Sequence, residues 1–214
     1  MNNFSLLNKE KEKYNLLHRQ SGFDESQQGY GRQVGLLANS ELYFYKFWRE
    51  INEGKDKIIL DIGLGAGETV KYFQNNKYDF YGIDISDYVV SELTNLLKTD
   101  RLICCSAHDI KLPSKFCDVV QHLDGFEHIP REIEVECLKE SIRISRGYVF
   151  HAIACTDAYW DHFLNQNGYD NAHINIKTPS EWLSFFEKYS KELNYEIFYN
   201  ETVGETIYII LKVK

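Results

Sequence analysis

One acid and three glycines stand at fixed spacing in Asp61-Ile-Gly63-Leu-Gly65-Ala-Gly67. The stretch before them, KIILDI, reads as a short buried strand, and Glu68 to Gln74 reads as a helix. Glycine lets a backbone turn sharply and approach a ligand with no Cβ in the way. The helix behind the loop offers N–H groups that no intrahelical acceptor uses. In an open α/β sheet such a crevice, at the carboxyl end of a strand, is where ligands sit. An acid at Asp61 disfavours a pyrophosphate and suits a ligand carrying an ammonium group. Seventeen residues past Gly67 comes Asp84, at the end of a second strand. A carboxylate there can accept hydrogen bonds from both hydroxyls of a ribose. A dinucleotide fold asks for G-x-G-x-x-G, with the third glycine permitting close helix–strand packing. Glu68 occupies that position, which argues against an NAD-dependent oxidoreductase.

These residues need elements to hold them. Strands are predicted over 57–62, 79–84, 102–105, 116–121 and 147–153. Helices are predicted over 68–74, 86–98 and 131–145. Ser86 is expected to cap its helix by accepting an early backbone N–H. Short strands alternating with helices argue for a parallel sheet covered on both faces. Leu36, Leu37, Leu42, Tyr43, Phe44, Phe47, Trp48 and Ile51 recur at helical intervals over 35–51, a helix that feeds the core. Residues 21–34 read as loop. Residues 1–20 read as a helix packed on the body or a mobile tail. At the other end, Pro179 suits the first turn of a helix over 180–193. Strands over 195–201 and 206–213, parted by Val203, Gly204 and Glu205, form a hairpin and must pair antiparallel.

Composition bounds the rest. The chain has 214 residues, 43% apolar and 26% charged, which is ordinary globular composition and enough for one core. No run approaches the roughly 20 apolar residues of a membrane span, and MNNFSLLNKEKEKYNLLHRQ lacks the order of a signal peptide. A cytoplasmic protein is expected. The net charge of -8 and the absence of a basic cluster make nucleic acid a poor partner. Five cysteines, an odd number without a C-x-x-C pair, give no support to a zinc site; no metal is expected, and the thiols are expected to be reduced and packed as small hydrophobes.

The order strand, acid, three glycines, helix, strand, acid resembles the class I S-adenosylmethionine-dependent methyltransferases, here as LDIGLGAG followed by YGIDIS. SAHDIKLP, residues 106–113, is similar to the family's third motif, and FCDVVQHLDGFEHIP, residues 116–130, to the motif at its fourth strand. The resemblance implies a seven-stranded Rossmann-like sheet in the order 3-2-1-4-5-7-6, the last strand antiparallel, with helices on both faces. It implies S-adenosyl-L-methionine as cofactor and S-adenosyl-L-homocysteine as product. The cofactor residues would be Asp61, Gly63, Leu64, Gly65, Gly67, Asp84, Ile85, His108, Asp109, Ile110 and Leu123, with Asp109 meeting the adenine amino group. Tyr30 and Arg32 lie in a region that folds over the cofactor in many relatives, so residues 1–34 would cover the site of a domain spanning 35–214. Leu64 departs from the small residue or cysteine usual in the family.

The family reaction is an in-line displacement at a methyl carbon, and an oxygen or nitrogen acceptor can need a base. His122 and Asp124 are placed directly after the fourth strand, with Glu127 and His128 in the same loop. His128 stands where the family often packs a histidine at the loop–helix junction. Residues 155–178 are too long for a plain connection and carry Tyr159, Trp160, Phe163, Tyr169, His162 and His173; they are expected to form a lid. HINIKTPSEW, residues 173–182, is similar to a piece of small-molecule methyltransferases in polysaccharide and natural-product clusters, and puts His173 on the acceptor side. The expected catalytic residues are therefore His173, His122 and Asp124. The expected activity is methyl transfer to a small or sugar-like acceptor, with O-methylation favoured, in a surface-polysaccharide setting. The expected state is a monomer or homodimer that contacts neither nucleic acid nor membrane. A non-catalytic partner subunit of the same fold is the other reading.

Overall fold

A computed structural model of the chain describes residues 3–21, 56–155 and 173–214. The expected loop over 21–34, the helix over 35–51, the boundary at 34/35 and most of the expected lid lie outside the described residues. The strands form a seven-stranded sheet in the order β3-β2-β1-β4-β5-β7-β6, as the motifs imply. The chain divides into two compact units, Met1–Lys111 and Leu112–Lys214.

The first unit holds α1 (Asn3–Ser21), β1 (Ile58–Ile62), α2 (Glu68–Asn75), β2 (Asp79–Asp84), α3 (Asp87–Leu97) and β3 (Leu102–Cys104). β1 and β3 flank β2, both parallel to it. Ile59, Leu60 and Ile83 have no exposed surface, as strands covered on both faces require. Ser86 caps α3 by accepting from the Val89 N–H at 3.1 Å. The polar N-terminus is a helix, and its anchor is visible. Asn15 Oδ1 accepts from Ser86 Oγ at 2.5 Å and from the Tyr88 N–H at 3.3 Å. Asn15 Nδ2 donates to Asp87 at 2.9 Å, and Lys11 pairs with Asp87 at 2.7 Å. α1 thus grips the start of α3, two residues after Asp84.

The second unit holds β4 (Cys117–Leu123), a 3-10 turn (Phe126–His128), α4 (Glu134–Ile144), β5 (Ser145–Ala154), α5 (Pro179–Tyr189), β6 (Tyr195–Val203) and β7 (Thr206–Val213). β5 is parallel to β4 and antiparallel to β7, and β7 pairs antiparallel with β6 across a turn at Gly204, where φ is 59°. α5 opens with a capping box: Thr178 accepts from the Glu181 N–H, and Glu181 accepts from the Thr178 N–H. It ends at Tyr189 rather than 193 because the chain turns through Asn194, at φ 59°, into β6. Its buried face, Trp182, Phe185 and Phe186, packs on Phe126.

All five cysteines are free thiols. Burial pushes the Cys117 thiol up to about 12 and the Cys155 thiol up to about 11, which makes both unreactive at neutral pH. Among the described residues no helix is long and apolar enough to cross a membrane.

Candidate active site

The glycine loop in the first unit is folded by its own backbone. Gly63, Gly65 and Gly67 have φ of 83°, 52° and 83°, conformations that a side chain would strain. The Gly63 N–H donates to the Ile83 carbonyl at 2.9 Å, and the Gly67 N–H to the Leu64 carbonyl at 2.8 Å. Gly67 has a second constraint: a Cβ there would lie 2.3 Å from the Leu93 side chain, so its absence lets α2 pack on α3. The unusual Leu64 is also explained. Its side chain is buried, and a Cβ on Gly82 would sit 2.6 Å from it. The bare backbone at Gly82 makes room for the larger residue.

Asp84 ties the loop to β2. One carboxylate oxygen accepts from the Leu64 N–H at 2.8 Å, the other from the Ser86 N–H at 2.8 Å. The backbone N–H groups of Gly65 and Ile85 also favour its charged form. Burial raises the Asp84 carboxyl to about 6 against the pull of those backbone donors. A desolvated carboxylate held at the rim of a glycine turn is an acceptor of the kind that ribose hydroxyls need. Asp61, one residue from the end of β1, is buried as well. Asp109 is exposed and pairs with Lys111, and its N–H donates to the Ser106 carbonyl at 3.0 Å. His108 Nδ1 lies 2.7 Å from Ser106 Oγ, and Ile110 is buried. Tyr30 and Arg32 lie outside the described residues.

The second unit corrects one boundary. β4 runs to Leu123, two residues past the expected end, because His122 and Leu123 pair with His151 and Ala152 of β5. His122 is thus a strand residue, not a loop residue. Its ring lies edge-on to Phe126 at 5.6 Å, over Gly125, where a Cβ would stand 2.4 Å from Nε2. Burial pushes its pKa down to about 3, so the ring is neutral across the physiological range. His151 stands opposite His122 on β5. It is fully buried, and neither ring nitrogen has a hydrogen-bond partner among the described residues. Leu123 closes β4, half-buried.

Asp124 follows with φ 45°, a left-handed conformation that Asp tolerates, and its N–H donates to the Ala152 carbonyl at 2.9 Å. Glu127 has no exposed surface. Its Oε1 accepts from the Ala154 N–H at 3.1 Å, and its carbonyl accepts from the Asn175 N–H at 3.0 Å. Burial raises both carboxyls, and at Glu127 the nearby Asp124 charge raises it further. The Asn175 bond brings in the segment that carries His173. Arg131 donates to the Ile176 carbonyl at 3.0 Å, and Asn175 and Lys177 each donate to Glu134 at 2.6 Å. His173 is buried, its ring edge-on to that of His128 at 4.8 Å. The structure therefore gathers His173, His128 and Glu127, residues that lie far apart in sequence. The pairing of His173 with Glu127 and His128 was not legible in the chain, because it depends on hydrogen bonds between segments some forty residues apart.

Residues 60–149 match the family model of the methyltransferase domain. With this sheet order and glycine loop, that match supports a class I S-adenosylmethionine-dependent methyltransferase, with S-adenosyl-L-methionine as cofactor and S-adenosyl-L-homocysteine as product. No curated protein sequence matches it significantly. Among solved structures it is similar to magnesium protoporphyrin IX methyltransferase from Synechocystis PCC 6803 with bound S-adenosylhomocysteine, at 14% identity and a TM-score of 0.70 over 97% of this chain and 99% of that one. A protein from Pyrococcus horikoshii OT3 aligns at 16% identity and a TM-score of 0.66, over 95% and 99% of the two chains. A SAM-dependent methyltransferase from Aquifex aeolicus aligns at 18% identity and a TM-score of 0.57, over 83% and 93%.

Proposed function

We propose that the protein methylates a hydroxyl of a small or sugar-like acceptor in the cytoplasm, in the assembly or modification of a surface polysaccharide. The observation that carries the hydroxyl preference is the gathering of buried Glu127 with His128 and buried His173 at the turn after β4, next to half-buried Asp124. When bound, the cofactor supplies an electrophilic methyl group on a sulfonium. On this reading the glycine loop and Asp61 receive its amino-acid end, and Asp84 holds the ribose diol. Asp109 meets the adenine amino group, His108, Ile110, Ile85 and Leu123 contact the cofactor, and Tyr30 and Arg32 close over it. His173 holds the acceptor hydroxyl, and Asp124 takes its proton; a carboxyl raised by burial is a stronger proton acceptor than an exposed one. His122, with its depressed pKa, lines the acceptor pocket rather than moving the proton. The chain acts as a monomer or homodimer on a free small molecule.

The test is transfer of a radiolabelled methyl group from the cofactor to a panel of nucleotide sugars, sugar phosphates, phenols and amines. Label on a sugar hydroxyl supports the reading. Label confined to amines or to macromolecules overturns it.

A further inference from the structure

Glu127, His128 and His173 each bring one ligating atom to a cluster whose atoms all lie within 4.8 Å of one another. Two come from the 3-10 turn after β4 and one from the segment before α5. Both sides are fixed: Glu127 by its bond to Ala154, and the His173 segment by Asn175, Arg131 and Lys177. The carboxylate is only half used. Glu127 is fully buried, Oε1 accepts from Ala154, and Oε2 has no hydrogen-bond partner among the described residues. A buried carboxylate oxygen without a donor is costly. Two imidazoles beside it supply what a cation needs, and a cation supplies what the oxygen lacks.

We propose that Glu127, His128 and His173 bind one divalent first-row transition-metal ion. Two imidazoles and one carboxylate suit manganese, iron, cobalt or zinc better than calcium or magnesium, which prefer all-oxygen sets. Ligand distances of about 2.1 Å place ligands roughly 3 to 4 Å apart, so small side-chain rotations close the cluster onto an ion. Three protein ligands leave coordination positions open for water or an oxygen ligand. The site goes beyond the acceptor chemistry proposed above and stands without it.

The test uses the full chain, stripped with a chelator and titrated with Mn²⁺, read by electron paramagnetic resonance and calorimetry, with Zn²⁺ as competitor. The expected result is one ion per chain, displaced by Zn²⁺. Substituting His128→Ala or His173→Ala should weaken binding roughly 100-fold or abolish it. S-adenosylhomocysteine affinity should stay unchanged in both variants, which also shows that they fold. If either alanine variant does not fold, the near-isosteric Glu127→Gln serves in its place, with the same expected loss. No stoichiometric ion in the wild-type chain, or ion binding that survives these substitutions, overturns the site. Ion binding without methylation of any hydroxyl acceptor upholds the site while the acceptor reading falls.

Discussion

Lowering the pH from about 7.5 to about 5 should weaken S-adenosylhomocysteine binding roughly tenfold through Asp84 alone. Backbone N–H groups of Leu64, Gly65, Ile85 and Ser86 act on its carboxylate. Burial leaves its carboxyl at about 6 in the ligand-free protein. At pH 5 about nine in ten copies are then protonated, and a protonated carboxyl gives up an acceptor position to its own proton. Ribose hydroxyls favour the ionised form, so binding must first remove that proton, at a cost of about one factor of ten per pH unit below 6. The same shift sets the stability of the free protein. With the folded value raised above the unfolded one, stability is full below about pH 4 and is lost as pH rises through about 6. The loss is of the order of 3 kcal/mol. Saturating S-adenosylhomocysteine should reduce that loss. Calorimetric titration between pH 5 and 8 reads the first effect, and thermal melts with and without ligand read the second. Asp84→Asn should bind weakly but with a flat pH profile. A wild-type profile flat from pH 5 to 8, or one that Asp84→Asn leaves unchanged, refutes the assignment.

Further outcomes follow from the same geometry. Gly65→Val forces a side chain onto a backbone at φ 52° and should abolish cofactor binding, measured by calorimetry on protein shown by circular dichroism to be folded. Gly82→Ala drives a Cβ into Leu64 and should lower the urea midpoint by an amount corresponding to about 1 to 3 kcal/mol while loosening cofactor binding. Asn15→Ala removes the three bonds by which α1 grips the start of α3, so hydrogen exchange at Tyr88 and Val89 should speed up, with stability reduced by about 1 to 2 kcal/mol. His173→Ala should leave cofactor affinity unchanged and lower turnover by roughly 100-fold; turnover within about threefold of wild type would make His173 structural.

The parallel strands were legible because each is a short apolar run, most of them alternating with helical segments, and the Ser86 cap and the Gly204 hairpin were legible because turn chemistry is local. Boundaries set by pairing were not. β4 gains His122 and Leu123 only because β5 offers His151 and Ala152 opposite them. β5 starts at Ser145, expected to end a helix, because Ser145 pairs with Cys117. α4 starts at Glu134 rather than 131 because the residues after Pro130 make a turn first. At the site, Asp84 could be picked out from the end of its strand. Its hold on the Leu64 N–H could not, since twenty residues separate donor and acceptor. Leu64 looked like a departure from the family until Gly82 was seen beneath it.

On the proposed reading, the cradle of Gly63, Gly65, Gly67 and Asp84 holds the adenosyl cofactor. The most direct measurement is calorimetric titration of the chain with S-adenosylhomocysteine and, separately, with NAD. One site for S-adenosylhomocysteine, no heat with NAD, and at least tenfold weaker binding in Asp84→Ala are expected. NAD binding, or S-adenosylhomocysteine affinity untouched in Asp84→Ala, would contradict the claim.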